Sequence, residues 1–128
     1  RRAQKYGLPF RRPSVFPRRA LLPMRVALLA AAEPWMGEYC RRIMHLAWAE
    51  DREIDDPAPV LAALEGLATD PRALLAQAGA DAAKAALRDR TDEARRLGIF
   101  GGPSFIVDGE LFWGDDRLED ALAWAQGA

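Results

Sequence analysis

The sequence has 128 residues, half of them apolar, which is enough for one packed domain and too few for two domains of ordinary size. Its 18 basic and 19 acidic side chains give a net charge of −1, although residues 1–19 hold seven basic residues and no acidic one. Sixteen of the 18 basic residues are Arg, and no aromatic stacking platform is interleaved with them. We therefore expect no nucleic-acid partner.

The predicted elements begin after an irregular connecting segment, residues 1–19, which is punctuated by glycine and prolines. A first helix is predicted over 20–32. Arg25 interrupts its apolar stretch, so we interpret it as a buried helix rather than a signal peptide and expect a cytoplasmic protein. No apolar run approaches the roughly 20 residues that span a bilayer, so we expect no membrane partner.

Four more helices are predicted from helical spacing of apolar residues, Asp-Pro start signals and glycine stops, over about 35–49, 55–64, 70–79 and 81–97. We expect the tryptophans Trp35, Trp48 and Trp124 to lie in the core. One cysteine, Cys40, cannot form an internal disulfide or a CxxC pair, and with His45 alone it cannot complete a structural zinc site. We expect Cys40 to be a small buried hydrophobe and His45 to be a surface or structural residue.

The last thirty residues change to a β pattern. Residues 104–107 and 110–113 are β-rich runs joined by Asp108-Gly109, the dipeptide that favours a two-residue hairpin turn, and a final helix is predicted over about 116–126. Consecutive apolar residues in both runs indicate that both sheet faces are covered. An isolated hairpin is only marginally stable, so we expect further strands upstream of Arg1 or from a partner chain.

The strongest sign of a site is the run Phe100-Gly101-Gly102-Pro103-Ser104 at the entrance of the first strand. Proline cannot donate to a β ladder, and glycine lets a ligand's backbone approach closely. A cis Gly102–Pro103 bond would turn the Gly102 backbone outward as a peptide-binding edge. The alternative is an ordinary Gly-Gly-Pro turn into a strand.

A second sign is the segment 113–119. Asp116 as N-cap with Glu119 three residues later matches a capping pattern. N–H groups at such a helix start can bind a carboxylate, and a spare carboxylate of the pair Asp115 and Asp116 can bind an ammonium group, which together suit an α-amino-acid head group. The alternative is simple capping. We expect Arg117 to form an ion pair with a nearby acid.

Together, the two segments form the run FGGPSFIVDGELFWGDDRL, which closely resembles the C-terminal part of the 2-hydroxychromene-2-carboxylate isomerases. These belong with the kappa-class glutathione transferases in the DsbA-type branch of the thioredoxin fold. The family's order is also followed upstream by Tyr6-Gly7-Leu8-Pro9, Phe16-Pro17, Met24-Arg25, Ala47-Trp48 and Ile54-Asp55-Asp56-Pro57. The resemblance therefore covers nearly the whole chain.

The resemblance implies an α/β fold, namely the C-terminal part of a DsbA-like thioredoxin fold (a β-hairpin plus a C-terminal helix) with an all-α helical insertion domain. The corresponding division of the chain is a connecting segment over 1–19, the helical insertion domain over 20–97, and the C-terminal half of the thioredoxin-like domain over 98–128.

The resemblance also implies roles for individual residues. Pro103 would be the family's cis-proline, and the Gly102 backbone would pair with the cysteinyl part of glutathione. Asp115, at the helix start, and the Asp116 side chain would hold the γ-glutamyl head group. Trp113 is a candidate for lining an aromatic substrate pocket and otherwise packs on the sheet. No metal ligand is implied.

Two departures from the family pattern stand out. The serine that faces the glutathione thiol has no counterpart in this sequence, so we expect it upstream of Arg1 and assign no catalytic residue. The family's F-P-x-N-[ST] step reads Phe16-Pro17-Arg18-Arg19-Ala20 here, so Arg19 stands where the resemblance implies an asparagine that makes a polar contact. Ser14 and Ser104 do not lie in a nucleophile context and do not replace the missing serine.

The resemblance implies a glutathione-dependent isomerase that acts on an aromatic-derived substrate of the 2-hydroxychromene-2-carboxylate type, with glutathione as a cofactor that is returned unchanged. The alternatives are a kappa-type glutathione transferase, a DsbA-like thiol-disulfide oxidoreductase with an upstream CxxC, and a non-catalytic member. We expect the partners to be glutathione and a small aromatic substrate, the assembly to be a homodimer, and these 128 residues alone to be inactive.

Overall fold

The helices and strands follow the predicted order. The computed structural model describes residues 2–127, and the chain divides into two units, residues 1–87 and residues 88–128. The bounds of the elements are α1 Arg2–Lys5, α2 Leu21–Leu29, α3 Met36–Trp48, α4 Pro57–Leu64, α5 Pro71–Gly79, α6 Asp81–Arg96, β1 Ser104–Val107, β2 Glu110–Trp113 and α7 Leu118–Ala125. None of the described helices is long and apolar enough to cross a membrane.

The helix ends in the first unit follow local sequence signals. Helices α4 and α5 each begin with a proline that follows an aspartate, and Asp70 caps α5 by accepting a hydrogen bond from the Ala73 N–H at 3.0 Å. Helix α2 ends at Leu29 rather than at 32, because residues 30–32 form a turn. The four-residue α1 lies in the segment that was expected to be irregular.

The core of the first unit forms where α2, α3, α4 and α5 pack together, and its largest fully buried side chains are Tyr39, Leu64, Val26 and Val60. Burial of each such side chain stabilises the fold by roughly 1.5–3 kcal/mol. The Tyr39 hydroxyl donates to the Pro23 carbonyl at 3.0 Å, and burial raises the pKa of this phenol above its ordinary value. Trp35 and Trp48 are half-buried against this core, as predicted.

The predicted burial of Cys40 is wrong, because this side chain is exposed. Tyr39 takes the inward position on α3, and Cys40 lies about 100° further around the helix. The Cys40 Sγ lies 3.7 Å from the Met36 Sδ. The surface position expected for His45 is confirmed, since the residue is exposed and its Nε2 lies 3.2 Å from a Glu50 carboxylate oxygen.

The basic N-terminal segment is held by acids in the loop after α3. Arg18 Nη2 lies 2.6 Å from Asp51 Oδ1, and Arg19 Nε lies 2.8 Å from Asp55 Oδ2. Ser14 donates to Asp51 Oδ1 through its backbone N–H at 2.8 Å and through its hydroxyl at 3.0 Å. These donors, the Ser14 N–H above all, hold the pKa of Asp51 below its ordinary value.

In the second unit, the hairpin has the predicted two-residue turn. Strands β1 and β2 pair antiparallel from Ser104↔Trp113 to Val107↔Glu110. The two residues of the Asp108-Gly109 turn have φ angles of 50° and 83°, the left-handed conformation that a type I′ turn requires. Asn-Gly and Asp-Gly pairs adopt it at little cost, which is why the sequence predicted this turn.

The two faces of the hairpin differ in how well they are covered. Helix α7 packs on both strands, and Phe112 is buried. On the other face Ile106 is 38% exposed and Trp113 is 54% exposed. The apolar runs predicted that both faces are covered, but the described residues cover only the face that contains Phe112. Trp124 is 49% exposed and does not lie in a core, so that prediction is wrong. The further strands that we expected stay a prediction.

Candidate functional site

The two sequence motifs meet at one end of the hairpin. The register places Ser104 opposite Trp113, so the loop that precedes β1 and the loop that follows β2 lie side by side. There the Gly114 N–H donates to the Pro103 carbonyl at 3.0 Å. The Gly102–Pro103 bond is cis, as predicted. A proline at the start of a strand and a second loop that is hydrogen-bonded to it therefore form one local structure.

The two glycines before Pro103 have different surroundings. A Cβ atom added to Gly101 would lie 2.6 Å from the Trp113 Nε1, so the indole packs directly on the Gly101 backbone. A Cβ atom added to Gly102 would meet no heavy atom within 4 Å. The backbone of Gly102 therefore faces open space, where the main chain of a ligand can approach it.

Trp113 lies between this loop and solvent. Its ring centroid is 5.0 Å from that of Phe100, and the residue is 54% exposed. The Ser104 hydroxyl donates to the Gly101 carbonyl at 2.7 Å and so helps to hold the loop closed on itself. The indole therefore contacts Phe100 and the Gly101 backbone, and about half of the residue remains accessible.

The predicted N-cap role of Asp116 is wrong. The chain enters α7 through a 3-10 turn, Asp115–Arg117, and neither the cap of this turn nor the cap of α7 makes a side-chain hydrogen bond. Gly114 has a φ of 111°, and Asp116 Oδ1 lies 2.5 Å from where a Cβ on Gly114 would stand. The Asp116 carboxylate thus lies beside the Gly114 backbone rather than across the start of α7.

Both acidic and basic side chains lie at the start of α7. Arg117 Nε lies 3.1 Å from Asp120 Oδ2, which confirms the expected ion pair with a nearby acid, and its guanidinium carbon lies 6.0 Å from the centre of the Phe112 ring. Asp115 and Asp116 are both exposed. Arg117 thus pairs with Asp120, in the first turn of α7, rather than with Asp116.

This geometry suits an extended, peptide-like ligand. An open backbone edge at Gly102 can pair with a ligand's main chain, the carboxylate of Asp116 can accept from an ammonium group, and the Trp113 indole can contact an apolar part. The hydrogen bond between Gly114 and Pro103 keeps these groups in one place. Across residues 2–127, no cluster of three or more His, Cys, Asp or Glu is arranged to hold a metal ion.

The sequence did not indicate two cavities that lie in the first unit, with volumes of about 670 and 280 Å³. The larger is lined by residues 8–10 and by charged side chains of α3, and the smaller lies under the segment that includes Pro13 and Arg18. A cavity depends on how separate elements meet, so it leaves no local pattern. The pairing of Arg18 and Arg19 with acids some 35 residues later is equally nonlocal.

Comparisons with known proteins identify the family of the chain. Residues 1–123 match the family model described as a DsbA-like thioredoxin domain. Over 118 residues the chain is 28% identical to the 2-hydroxychromene-2-carboxylate isomerase of Sphingobium xenophagum, which corresponds to 91% of this chain and 59% of that protein.

A solved structure of a 2-hydroxychromene-2-carboxylate isomerase, with selenomethionine in place of methionine, is also similar. The TM-score is 0.79 at 26% identity, and the match covers 98% of this chain and 60% of that one. The chain therefore spans about three fifths of the length of the relatives that it matches.

Proposed function

The chain belongs to the DsbA-like thioredoxin domain family, and from this premise we propose that it forms part of a glutathione-dependent isomerase that acts on a small aromatic-derived substrate of the 2-hydroxychromene-2-carboxylate type. The predicted fold class is confirmed by this membership and by the similarity to the solved isomerase structure. Its distant relatives are isomerases, which supports an isomerase-like enzyme. Glutathione dependence and the substrate are the proposed part.

The observation that carries the proposal is the hydrogen bond from the Gly114 N–H to the Pro103 carbonyl at 3.0 Å. It joins the cis Gly102–Pro103 step to the loop that carries Asp116. Either motif alone is compatible with an ordinary turn or an ordinary helix start. Joined, they present a main-chain edge and a carboxylate within one small surface, and a tripeptide with a free α-amino group needs both.

Glutathione fits the residues that are present. The open space in front of Gly102 leaves room for the cysteinyl main chain, and the Asp116 carboxylate would accept hydrogen bonds from the γ-glutamyl ammonium group. Asp115, at the start of the 3-10 turn, would contact the same head group. When bound, glutathione would supply a thiol nucleophile. Trp113 would line the place of the aromatic substrate.

The test of this proposal is the substitution Asp116→Asn. Because Asp116 makes no cap, the free energy of unfolding should change by no more than a few tenths of a kcal/mol, as expected for an exposed position. Losing a charge-assisted hydrogen bond to the ammonium group should weaken glutathione binding by about tenfold, the lower end of the range because the site is exposed.

The matched control is Asp108→Asn at the opposite end of the hairpin. It changes the net charge by the same amount, and asparagine suits its positive φ of 50° as well as aspartate does. Glutathione is titrated calorimetrically into the parent protein and both variants. Equal affinities for Asp116→Asn and the parent, or no binding to the parent, would remove the glutathione site from the proposal.

The remaining expectations concern the protein that contains this chain. An upstream serine facing the thiol, a homodimeric assembly and a cytoplasmic location stay predictions. The same titration bears on the alternatives, because a thiol-disulfide oxidoreductase would exchange a disulfide with glutathione rather than bind it reversibly. A non-catalytic member would bind glutathione, if at all, without turning over an aromatic substrate.

A further inference from the structure

All four sulfur-containing side chains of the protein lie in one region of the first unit. The sequence contains one cysteine and three methionines. Met36, Cys40 and Met44 follow one another at intervals of four residues along α3, and Met24 of α2 lines the smaller cavity together with Cys40 and Met44. Residues four apart on a helix are neighbours on its surface, so Met36, Cys40 and Met44 form a sulfur stripe along α3.

Packing in the core does not account for the sulfur stripe. Cys40 is exposed, and Met44 and Met24 are 60% and 51% exposed. Met36 is half-buried against the core. Methionine and unpaired cysteine usually behave as buried apolar groups, so their shared exposure at one place is better explained by binding than by packing.

The spacing of the sulfur atoms suits a metal ion. The Cys40 Sγ and the Met36 Sδ are 3.7 Å apart, a distance that also fits a weak hydrogen bond from the thiol to the thioether. With metal–sulfur bonds of about 2.3 Å, a separation of 3.7 Å corresponds to a sulfur–metal–sulfur angle of about 107°, close to the tetrahedral value. Met44 lies one helical turn beyond Cys40, and its three rotatable side-chain bonds allow it to supply a third sulfur ligand.

The chemistry of these groups selects the ion. Thiolate and thioether sulfur atoms are soft ligands that favour Cu(I), whereas Mg²⁺, Ca²⁺ and Mn²⁺ prefer oxygen. The carboxylate of Glu38, on the same helix, is held in ion pairs by Arg41 at 2.9 Å and by Arg42 at 3.0 Å. A monovalent ion bound by one thiolate and two neutral thioethers leaves no net charge, which suits a site beside a mostly apolar cavity wall.

We propose that Met36, Cys40 and Met44 bind one Cu(I) ion through their three sulfur atoms. Binding forms the bond between Cys40 Sγ and copper and releases the thiol proton to solvent, while the oxidation state of copper does not change. The proposal goes beyond the proposed isomerase function and does not depend on it, because none of the three ligands belongs to the loops around Pro103 and Gly114.

Anaerobic titration with Cu(I), in competition with the chromogenic chelator bicinchoninate, measures the affinity of the unaltered protein. The matched control is the double variant Cys40→Ser/Ala86→Cys, which moves the thiol to an exposed position of α6 where the residues four away are alanine and arginine. We expect the unaltered protein to bind one Cu(I) at least about tenfold more tightly than this control, since even the groups that merely orient a metal ligand contribute roughly 10–100-fold.

Met36→Leu and Met44→Leu test the two thioethers. Each substitution nearly conserves the side-chain volume, so the fold should be retained. Each should weaken Cu(I) binding by at least about tenfold, because it removes a ligand and leaves the thiol in place. The same two variants assign the methionine methyl signals in ¹H–¹³C spectra, and Cu(I) should shift the signals of both Met36 and Met44 in the unaltered protein.

Equal Cu(I) affinities of the unaltered protein and the double variant would mean that a lone thiolate binds the ion, and this would overturn the proposal. Unchanged affinity in both methionine variants, or methyl signals that stay in place while Cu(I) binds, would overturn it as well. None of these measurements contains glutathione, so their outcome is separate from that of the titration that tests the proposed function.

Discussion

Gly101→Ala tests how tightly the Trp113 indole is held on the loop before β1. The added methyl group would stand 2.6 Å from Trp113 Nε1 and 3.4 Å from two further indole atoms. Ordinary contact begins at about 3.4 Å, so either the indole recedes or the loop backbone shifts. The indole is the group that yields, because Trp113 is 54% exposed while the loop is tied by the Gly114 to Pro103 hydrogen bond.

The size of the effect follows from a comparison with Gly102→Ala. Both substitutions restrict the unfolded chain, which favours folding by about 0.4–1 kcal/mol where the native backbone suits alanine, and neither glycine has a positive φ. Only the first meets the indole. Moving a side chain off its rotamer costs about 0.5–1.5 kcal/mol, and weakening the Phe100–Trp113 ring contact costs a similar amount. Gly101→Ala should therefore be less stable than Gly102→Ala by about 1–3 kcal/mol.

Urea unfolding of the two variants measures this difference, and the indole N–H signals in ¹H–¹⁵N spectra show whether Trp113 has moved. The Trp113 signal is identified by its loss in Trp113→Phe. Equal free energies of unfolding for the two alanine variants, with an unmoved Trp113 signal in both, would contradict the packing of the indole on Gly101.

Two further predictions concern the first unit. Tyr39→Phe removes the buried hydroxyl that donates to the Pro23 carbonyl in α2, so urea unfolding should show a free energy of unfolding that is lower by about 0.5–1.5 kcal/mol. The control is Tyr6→Phe, at a residue that is 54% exposed, which should change the free energy of unfolding by less than about 0.5 kcal/mol. Because the Ser14 N–H and the other donors lower the pKa of Asp51 in the folded state, its contribution to stability is present above the ordinary pKa of aspartate and is lost as the pH falls through the lowered pKa. As the pH is lowered through the acid range, the urea midpoint of unfolding should therefore fall less steeply for Asp51→Asn than for the control Asp89→Asn, which lies at an exposed position. Identical pH profiles of the two variants would count against a lowered pKa of Asp51 in the folded state.

Elements with a local cause were predictable from the sequence. The Asp108-Gly109 turn favours one backbone conformation, the Asp-Pro pairs mark where α4 and α5 begin, and Gly79 marks where α5 ends. The cis Gly102–Pro103 bond was also predicted, from the position of the proline at a strand entrance and from the family pattern. In each case the residues that decide the structure are neighbours in the sequence.

Features that depend on packing between elements were not predictable in this way. Cys40 shares the apolar spacing of α3, but the inward face of a helix is narrower than its apolar stripe, and Tyr39 occupies it. The N-cap pattern at Asp116 was misleading, because Gly114 adopts a positive φ that starts a 3-10 turn one residue earlier. The burial of Arg18 depends on an acid 33 residues away.

The candidate site depends on the turn at the far end of the hairpin. A two-residue turn allows one register, and that register places Ser104 opposite Trp113, which in turn brings Gly114 within hydrogen-bond distance of Pro103. One extra residue in the turn would shift the pairing and separate the two loops, although every residue of both motifs would remain. The position of the proposed ligand surface at Asp116 therefore depends on a local signal at the opposite end of the strands, and one short run of the sequence contains both this turn and the two loops that it brings together.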